Sequence, residues 1–201
     1  MVTLVPTELP QTSAPAEQAR RELRQRLRRE RDLFLAGDAA SAAQTALAGH
    51  LHRLLAELLP GQLGLYWPLE SEFNAVAACL ADKSLESAGF ALPYARRFPK
   101  DMHYRAWDRR EPSARDECGI ATADGAPVVP DVVLVPCVGY TASGYRLGYG
   151  GGYFDRWLAA HPQVTAVGLA WSVGELSEIE LAPQPHDQAL MLVLTERGVV
   201  S

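Results

Sequence analysis

The feature that most constrains the fold is an apolar run followed by a glycine-rich loop and a helical pattern. Residues 131–138 are rich in β-branched side chains and unbroken except at Pro136, which is typical of a central parallel strand covered on both faces. Four glycines fall within residues 148–152, and a helical pattern follows over residues 153–160. Because such a strand needs helices on both sides of its sheet, the segment predicts an α/β fold.

The rest of the chain alternates helix and strand patterns without internal repeats. Helix patterns cover residues 19–35, 38–59 (with Ser41 as an alternative cap), 74–81 and 153–160. Strand patterns cover residues 63–67, 89–93, 99–107, 131–138, 165–171 and 190–195. This order predicts a three-layer α/β/α domain with a largely parallel central sheet. We expect residues 17–201 to form this single domain and residues 1–16, with three prolines, to form a disordered tail.

Composition narrows the class of protein. The 201 residues are 48% hydrophobic, enough for one sizeable core, and the net charge of −5 argues against general nucleic-acid binding. Cys79, Cys118 and Cys137 form no C-x-x-C pair, which indicates reduced thiols without a metal or redox role. No apolar run approaches the length of a membrane span. We therefore expect a cytoplasmic monomer that binds neither nucleic acid nor membrane.

The glycine-rich loop has the residues of a phosphate-binding site. Glycine lets backbone approach a ligand closely, and amides at a helix N-terminus suit phosphate. Arg146 adds a fixed positive charge, whereas Asp155 would repel a polyphosphate unless Mg²⁺ lay between them. The hypothesis is a nucleotide-phosphate cradle with its own metal ligand. The alternative is a turn needed only for its backbone angles, with Arg146 and Asp155 paired across it. The loop lacks Gly-Lys-Ser/Thr, and the third glycine of a G-x-G-x-x-G pattern is replaced by Tyr153.

The first predicted helix is rich in arginine. Its seven arginines stand at positions 20, 21, 24, 26, 28, 29 and 31. One interpretation is a solvated face. The other is that Arg20, Arg24, Arg28 and Arg31 share one side of the helix and point at an anion. The interspersed acidic residues argue against a transit peptide.

Candidate substrate contacts lie at and after the end of the strand pattern 63–67. The end of this strand pattern carries Tyr66 and Trp67, and the loop after it carries Glu70 and Glu72. In open α/β sheets, ligands bind beyond the carboxyl ends of strands. Aromatic and acidic groups suit a flat, nitrogen-rich ring, with Met102 able to pack on its face. The alternative is a solvated carboxylate pair at a helix start. With Asp187 as a second carboxylate for Mg²⁺, the residues alone indicate an ATP-using enzyme acting on a planar heterocycle.

A resemblance makes this interpretation more specific. Residues 133–158 read VLVPCVGYTASGYRLGYGGGYFDRWL. This run resembles the signature of the 5-formyltetrahydrofolate cyclo-ligase family, also called 5,10-methenyltetrahydrofolate synthetases: Val-Pro, an aromatic residue, then Gly-x-Arg-Leu-Gly-x-Gly-x-Gly-Tyr-Tyr/Phe-Asp. Other matches to the family pattern are Leu23, Arg24, Arg28, Arg31, Tyr66, Glu72, Leu92-Pro93, His186-Asp187 and Thr195-Glu196. The similarity covers nearly the whole chain after the tail.

The resemblance implies a fold of the NagB/RpiA/CoA-transferase-like type and an ATP- and Mg²⁺-dependent reaction. In the family the formyl oxygen of 5-formyltetrahydrofolate attacks the γ-phosphorus of ATP and ADP leaves. The resulting iminium phosphate is closed by N10, and phosphate leaves with 5,10-methenyltetrahydrofolate as product. Such a reaction needs mainly alignment and charge neutralisation.

The resemblance also implies the roles of individual residues. ATP would contact Arg20, Arg24, Arg146, Gly148, Tyr149, Gly150, Gly151, Gly152 and Tyr153. Folate would contact Trp67, Glu72, Met102 and Tyr153, and Mg²⁺ would be held by Asp155 and Asp187. Arg146, Tyr153 and Glu72 would be the catalytic residues.

Three positions depart from the family pattern. Arg20 stands where many relatives have lysine, Gly151 where some have lysine and Met191 where many have aspartate. Two other functions stay open: a folate- or nucleotide-binding paralogue without turnover, and an RNA-associated protein that uses the arginine helix.

Overall fold

The computed structural model describes residues 14–200. Its helices are α1 Ala14–Leu35, α2 Ala40–Leu58, α3 Ala75–Ala81, α4 Tyr153–Ala160 and α5 Glu178–Leu181. Its strands are β1 Gln62–Gly64, β2 Gly89–Arg96, β3 Asp101–Trp107, β4 Ala114–Arg115, β5 Ala121–Thr122, β6 Pro127–Val128, β7 Val132–Pro136, β8 Gly139–Tyr140, β9 Arg146–Leu147, β10 Thr165–Leu169, β11 Leu192–Thr195 and β12 Gly198–Val200. Residues 14–16 of the predicted tail belong to α1, and the rest of that tail lies outside the described residues.

The central sheet has eight strands in the order β12-β11-β10-β7-β1-β2-β3-β6. The five strands from β11 to β2 run parallel to one another. Each strand beyond them pairs antiparallel with its inner neighbour: β12 with β11, β3 with β2 and β6 with β3. The fully buried β7 lies between β1 and β10. The prediction of a three-layer α/β protein with a largely parallel sheet is confirmed.

Alternate residues of β7 face the two sides of the sheet. Val132 and Leu134 join the core cluster that contains buried leucines of α2, whereas Val133 and Val135 join the cluster that contains Trp157 of α4. This is the side-chain alternation of a strand, and it explains the continuous apolar run, since both faces are covered. The outer helix α1 packs through Leu27 in a third, smaller cluster.

The structure differs from the predicted elements in several places, and α5, β8, β9 and β12 were not predicted. The strand predicted over residues 63–67 ends at Gly64. Helix α1 begins five residues before its predicted start. The polar segment 109–130 contains three two-residue strands: β4 pairs with β5, and β6 extends the sheet beyond β3.

Two observations on the described part of the chain bear on the class of protein. Within residues 14–200, no helix combines the length and apolarity needed to cross a membrane. Cys79, Cys118 and Cys137 are free thiols.

Candidate active site

A cavity of about 420 Å³ opens at the carboxyl ends of β1 and β7, between the glycine-rich loop and α1. Such ends are where open α/β sheets bind ligands. Fourteen predicted site residues line this one cavity: Arg20, Arg24, Trp67, Glu72, Met102, Arg146, Gly148, Tyr149, Gly150, Gly151, Gly152, Tyr153, Asp155 and Asp187. The fold therefore brings together residues that lie up to 167 positions apart in the chain, while their individual roles stay predictions.

The glycine-rich loop presents unbonded amides to the cavity. Among residues 14–200, no residue accepts a hydrogen bond from the backbone amides of residues 148–152. Gly150 has φ +89°, and a Cβ there would lie 3.3 Å from the Arg24 guanidinium, so both its backbone angle and its surroundings favour glycine. The loop leads into the N-terminus of α4, where the helix dipole favours an anion. This arrangement suits a phosphate group.

Two arginines of α1 line the cavity. The Arg24 Nε–H donates to the Gly148 carbonyl at 2.7 Å, and Arg20 donates from both terminal nitrogens to Asp187 Oδ2 at 2.9 Å. Burial lowers the pKa of Arg24, and the neighbouring charge of Arg20 lowers it further. Two adjacent cations in a partly desolvated site would be stabilised by an anion between them.

The other two arginines of the predicted anion-facing set have different partners. Arg28 pairs with the exposed Glu70, and Arg31, which is 3% exposed, donates to the Ser71 and Tyr149 hydroxyls. The expectation that all four point at one anion is therefore wrong for these two, because their guanidinium groups are bonded to other side chains and do not line the cavity. Glu70, the partner of Arg28, does not line the cavity.

The predicted metal ligands are both paired with arginine. Asp155 Oδ1 lies 3.0 Å from Arg146 and accepts the Gln188 amide, and Asp187 Oδ2 accepts the Gln184 amide as well as Arg20. The pairing of Arg146 with Asp155, which the alternative interpretation of the loop predicts, is thus present. The amides of residues 148–152 nevertheless have no acceptor within residues 14–200. Within residues 14–200 the second carboxylate oxygens, Asp155 Oδ2 and Asp187 Oδ1, accept no hydrogen bond.

This donor set fits Mg²⁺ that is also bound by a ligand. The described residues contain no group of three or more His, Cys, Asp or Glu side chains that could hold a metal alone. Mg²⁺ commonly uses one or two carboxylates and completes its octahedron with phosphate oxygens and water. Two aspartates, each with a free oxygen beside a phosphate-binding loop, meet that requirement.

The opposite side of the cavity is aromatic and acidic. Trp67 packs edge-on against Trp107, and Met102 lies on β3 with 9% of its surface exposed. The Glu72 carboxylate accepts the Leu69 amide at 2.7 Å. Burial raises the pKa of Glu72, which the Leu69 amide and the nearby Tyr149 hydroxyl and Arg31 guanidinium only partly offset. A carboxyl group in such surroundings can bind ring N–H donors in either protonation state.

The sequence analysis missed part of the cavity wall. Asp116, Cys118 and Ile120, from the segment between β4 and β5, line the cavity, and so does His186. The two strands are too short to show alternation, so no periodic signal marks this segment. Only the His186-Asp187 pair had a sequence signal, through its place in the family pattern.

Fold and site together define an α/β protein whose cavity joins a glycine-rich loop with unpaired amides to an aromatic and acidic pocket. A model of the 5-formyltetrahydrofolate cyclo-ligase family matches residues 16–196. The chain belongs to this family.

Individual relatives agree over part of the chain. The 5-formyltetrahydrofolate cyclo-ligase of Mycolicibacterium smegmatis is 42% identical over 72 residues, which are 35% of this chain and 37% of that protein. The protein of the same name from Mycoplasma pneumoniae is 34% identical over 67 residues, covering 33% of this chain and 39% of the relative. These alignments span little more than a third of either relative's length.

Solved structures agree over most of the chain. The 5,10-methenyltetrahydrofolate synthetase of Mycoplasma pneumoniae superposes with a TM-score of 0.69 at 20% identity, over 88% of this chain and 98% of that one. The synthetase of Aquifex aeolicus gives a TM-score of 0.68 at 23% identity, over 90% and 91% of the two chains. At these identities the likeness establishes the shared fold.

Proposed function

We propose that this protein converts 5-formyltetrahydrofolate to 5,10-methenyltetrahydrofolate at the expense of ATP, with release of ADP and phosphate. The observation that carries the proposal is one cavity with two unlike ends. One end has open amides and the cations Arg20, Arg24 and Arg146, and the other has Trp67, Glu72 and Met102. A triphosphate and a flat, nitrogen-rich ring fit these ends, and the family supplies the reaction that joins them.

The nucleotide phosphates occupy the glycine-rich end. The amides of residues 148–152 and the N-terminus of α4 bind the terminal phosphate, since none of these amides has an acceptor within residues 14–200. Arg20 and Arg24 neutralise charge from the α1 side, and Arg146 does so from below the loop. Phosphoryl transfer depends mainly on such positioning and electrostatic stabilisation.

Mg²⁺ is held by Asp155 and Asp187. When bound, it neutralises phosphate charge and aligns the triphosphate. With the metal bound, the two aspartates would exchange their arginine partners for it, and Arg20 and Arg146 would bind phosphate oxygens. This exchange keeps every charge at the site paired, which a desolvated site requires.

The folate ring system lies between Trp67, Met102 and Tyr153, with Glu72 accepting from ring N–H groups. This pose directs the formyl oxygen at the γ-phosphorus of ATP. A new O–P bond forms as ADP leaves, N10 then attacks the formyl carbon, and phosphate departs with the former formyl oxygen while N10 loses its proton. The residues named here bind and orient the reactants, and none of them forms a covalent intermediate.

The cellular setting is part of the proposal. The three cysteines are free thiols, as expected of the cytoplasm. The active form is proposed to be a monomer.

One spectroscopic experiment tests the function. Purified protein is mixed with 5-formyltetrahydrofolate, ATP and Mg²⁺, and the absorbance band of methenyltetrahydrofolate is followed together with ADP release, with omission of ATP as the control. We expect both signals to appear in equal amounts and only with ATP. Folate and ATP binding without either signal would favour the paralogue without turnover, and binding of neither would contradict the proposal.

A further inference from the structure

The segment between β4 and β5, which we call the 116–120 turn, forms a wall of the cavity beside the candidate folate pocket. Asp116, Cys118 and Ile120 all line the cavity from this turn. The turn closes through a hydrogen bond from the Asp116 amide to the Ile120 carbonyl at 2.9 Å, and its apex is Gly119 with φ +87°. The turn is therefore a defined structure facing the substrate.

Asp116 holds this turn in place. Its side chain is 7% exposed, and its Oδ1 accepts the amides of Cys118 at 2.9 Å and Ile120 at 2.8 Å. Its Oδ2 accepts the Ala95 amide of β2 at 3.3 Å. A carboxylate that receives three amide hydrogen bonds fixes both the shape of the turn and its distance from the sheet.

Two further bonds fasten the same segment to β2. The Glu117 amide donates to the Ala95 carbonyl at 3.2 Å, and the Thr122 hydroxyl donates to the Pro93 carbonyl at 2.8 Å. Pro93 and Ala95 themselves line the cavity, and Ala95 pairs with Met102 of β3. The turn, β2 and Met102 thus form one continuous wall.

The turn also reaches the glycine-rich loop. Cys118 Sγ lies 3.3 Å from the hydroxyl oxygen of Tyr153, the first residue of α4. A Cβ at Gly151 would lie 2.6 Å from the Tyr153 ring, so this ring occupies space that only glycine leaves free. Two cations lie over the ring, the Arg156 guanidinium at 5.3 Å and the Lys100 ammonium at 5.9 Å from its centroid. Within residues 14–200, Cys118 is the hydrogen-bond partner of the Tyr153 hydroxyl.

We propose that Asp116 and Cys118 are positioning residues that hold the Tyr153 ring at the folate side of the cavity, Asp116 by shaping the turn and Cys118 by bonding the tyrosine hydroxyl. The inference rests on the proposed function, because it assigns the ring to folate rather than to ATP.

The first test uses the thiol itself. Cys79 and Cys137 are buried and Cys118 is only half-buried, so a thiol reagent should modify one cysteine quickly in the folded protein. We expect 5-formyltetrahydrofolate alone to slow this reaction at least about threefold, a protection that follows from occupancy of the cavity. Equal labelling rates with and without bound folate would overturn the proposal.

The second test is a double-mutant cycle with Cys118→Ala and Tyr153→Phe. Each single variant should weaken folate binding by roughly three- to tenfold, as expected for one hydrogen bond, and leave ATP binding within about twofold. The double variant should bind folate no worse than either single one, since both changes remove the same contact. Cys118→Ser should retain part of the affinity because a hydroxyl can replace the thiol.

Asp116→Asn extends the test to the turn. It should raise the KM for folate more than the KM for ATP, and Asp108→Asn, at an exposed site, serves as the matched control. Additive effects in the cycle, or no recovery of affinity in Cys118→Ser, would overturn the positioning role while wild-type folate turnover left the proposed function standing. Wild-type protein that binds no folate would overturn both.

Discussion

The Arg146 guanidinium is almost fully enclosed, with 4% of its side chain exposed. Its partners are the Asp155 carboxylate at 3.0 Å and the Gln188 carbonyl at 3.2 Å. A buried charge that loses its partner is strongly destabilising. Arg146 therefore needs an anion at every stage of the proposed reaction, and a phosphate would have to replace Asp155 if Mg²⁺ bound that carboxylate.

Asp155→Asn tests this residue pair. The variant should lose at least about tenfold in kcat/KM, because the amide is a poor ligand for Mg²⁺, and the loss should deepen as Mg²⁺ becomes limiting. The measurement is a Mg²⁺ titration of the initial rate, with Asp108→Asn as the control at an exposed site. Normal turnover of Asp155→Asn at limiting Mg²⁺ would remove the metal assignment.

Glu72 gives a prediction about pH. Burial holds the pKa of its carboxyl above the ordinary 4.5, so the folded protein keeps this proton to higher pH than the unfolded chain does. The free energy of unfolding should therefore fall, relative to Glu72→Gln, as pH rises from about 4.5 through the raised pKa, and then stay level. Urea unfolding of both proteins from pH 4 to pH 8 measures the difference, and a difference that grew in favour of the wild type with rising pH would contradict the assignment.

At the scale of elements, α1 closes one side of the cavity. It reaches the loop through Arg24, the second carboxylate through Arg20 and the Tyr149 hydroxyl through Arg31. Arg29, on the outward side of the helix, has no such contact with the site. Within residues 14–200 its guanidinium donates to the Gln25 carbonyl of the same helix. One helix thus has an arginine face that serves the site and an arginine face that meets solvent.

Arg24→Gln and Arg29→Gln form a matched pair on this helix. We expect Arg24→Gln to raise the KM for ATP by roughly tenfold, the cost of one charge-assisted contact, with a smaller change in the KM for folate. Arg29→Gln should change neither. Steady-state kinetics with each substrate varied in turn decides the matter, and equal effects of the two substitutions would mean that the helix acts through its charge alone.

How well each element can be predicted depends on whether local sequence patterns or contacts distant in sequence define it. The bounds of α4 follow from the sequence because a glycine loop marks its start and an amphipathic pattern its length. The positions of Arg20 and Arg24 were predictable from helical spacing, whereas the diversion of Arg28 to Glu70 depends on a loop distant in sequence. The 116–120 turn gave no signal because hydrogen bonds to one buried aspartate, rather than periodicity, define it.

At the scale of the whole molecule, the site depends on a sheet buried on both faces. The carboxyl ends of β1 and β7 meet at the cavity, and the core below them is closed by α2 on one face and α4 on the other. Sequence could predict this edge as the binding edge, since parallel strands align their carboxyl ends. It could not show whether the loop amides there were free, because that depends on acceptors elsewhere in the fold.

Leu51→Ala and Leu33→Ala compare the core with the surface. Leu51 of α2 is fully buried and Leu33 of α1 is 75% exposed. The first substitution should lower the free energy of unfolding by about 2–5 kcal/mol, and the second by less than about 0.5 kcal/mol. Chemical denaturation measures both values, and at low temperature each variant should keep the kcat of the wild type. A small loss in Leu51→Ala would contradict the packing of α2 on the sheet.

The outermost strands of the sheet have a consequence for crowded solutions. β12 spans three residues, and β6 spans two and contains Pro127, which has no amide hydrogen to offer. A neighbouring molecule that added a strand beyond β6 or β12 could therefore pair with few backbone groups of that strand. Growth into ribbons through these two outermost strands is disfavoured in concentrated protein.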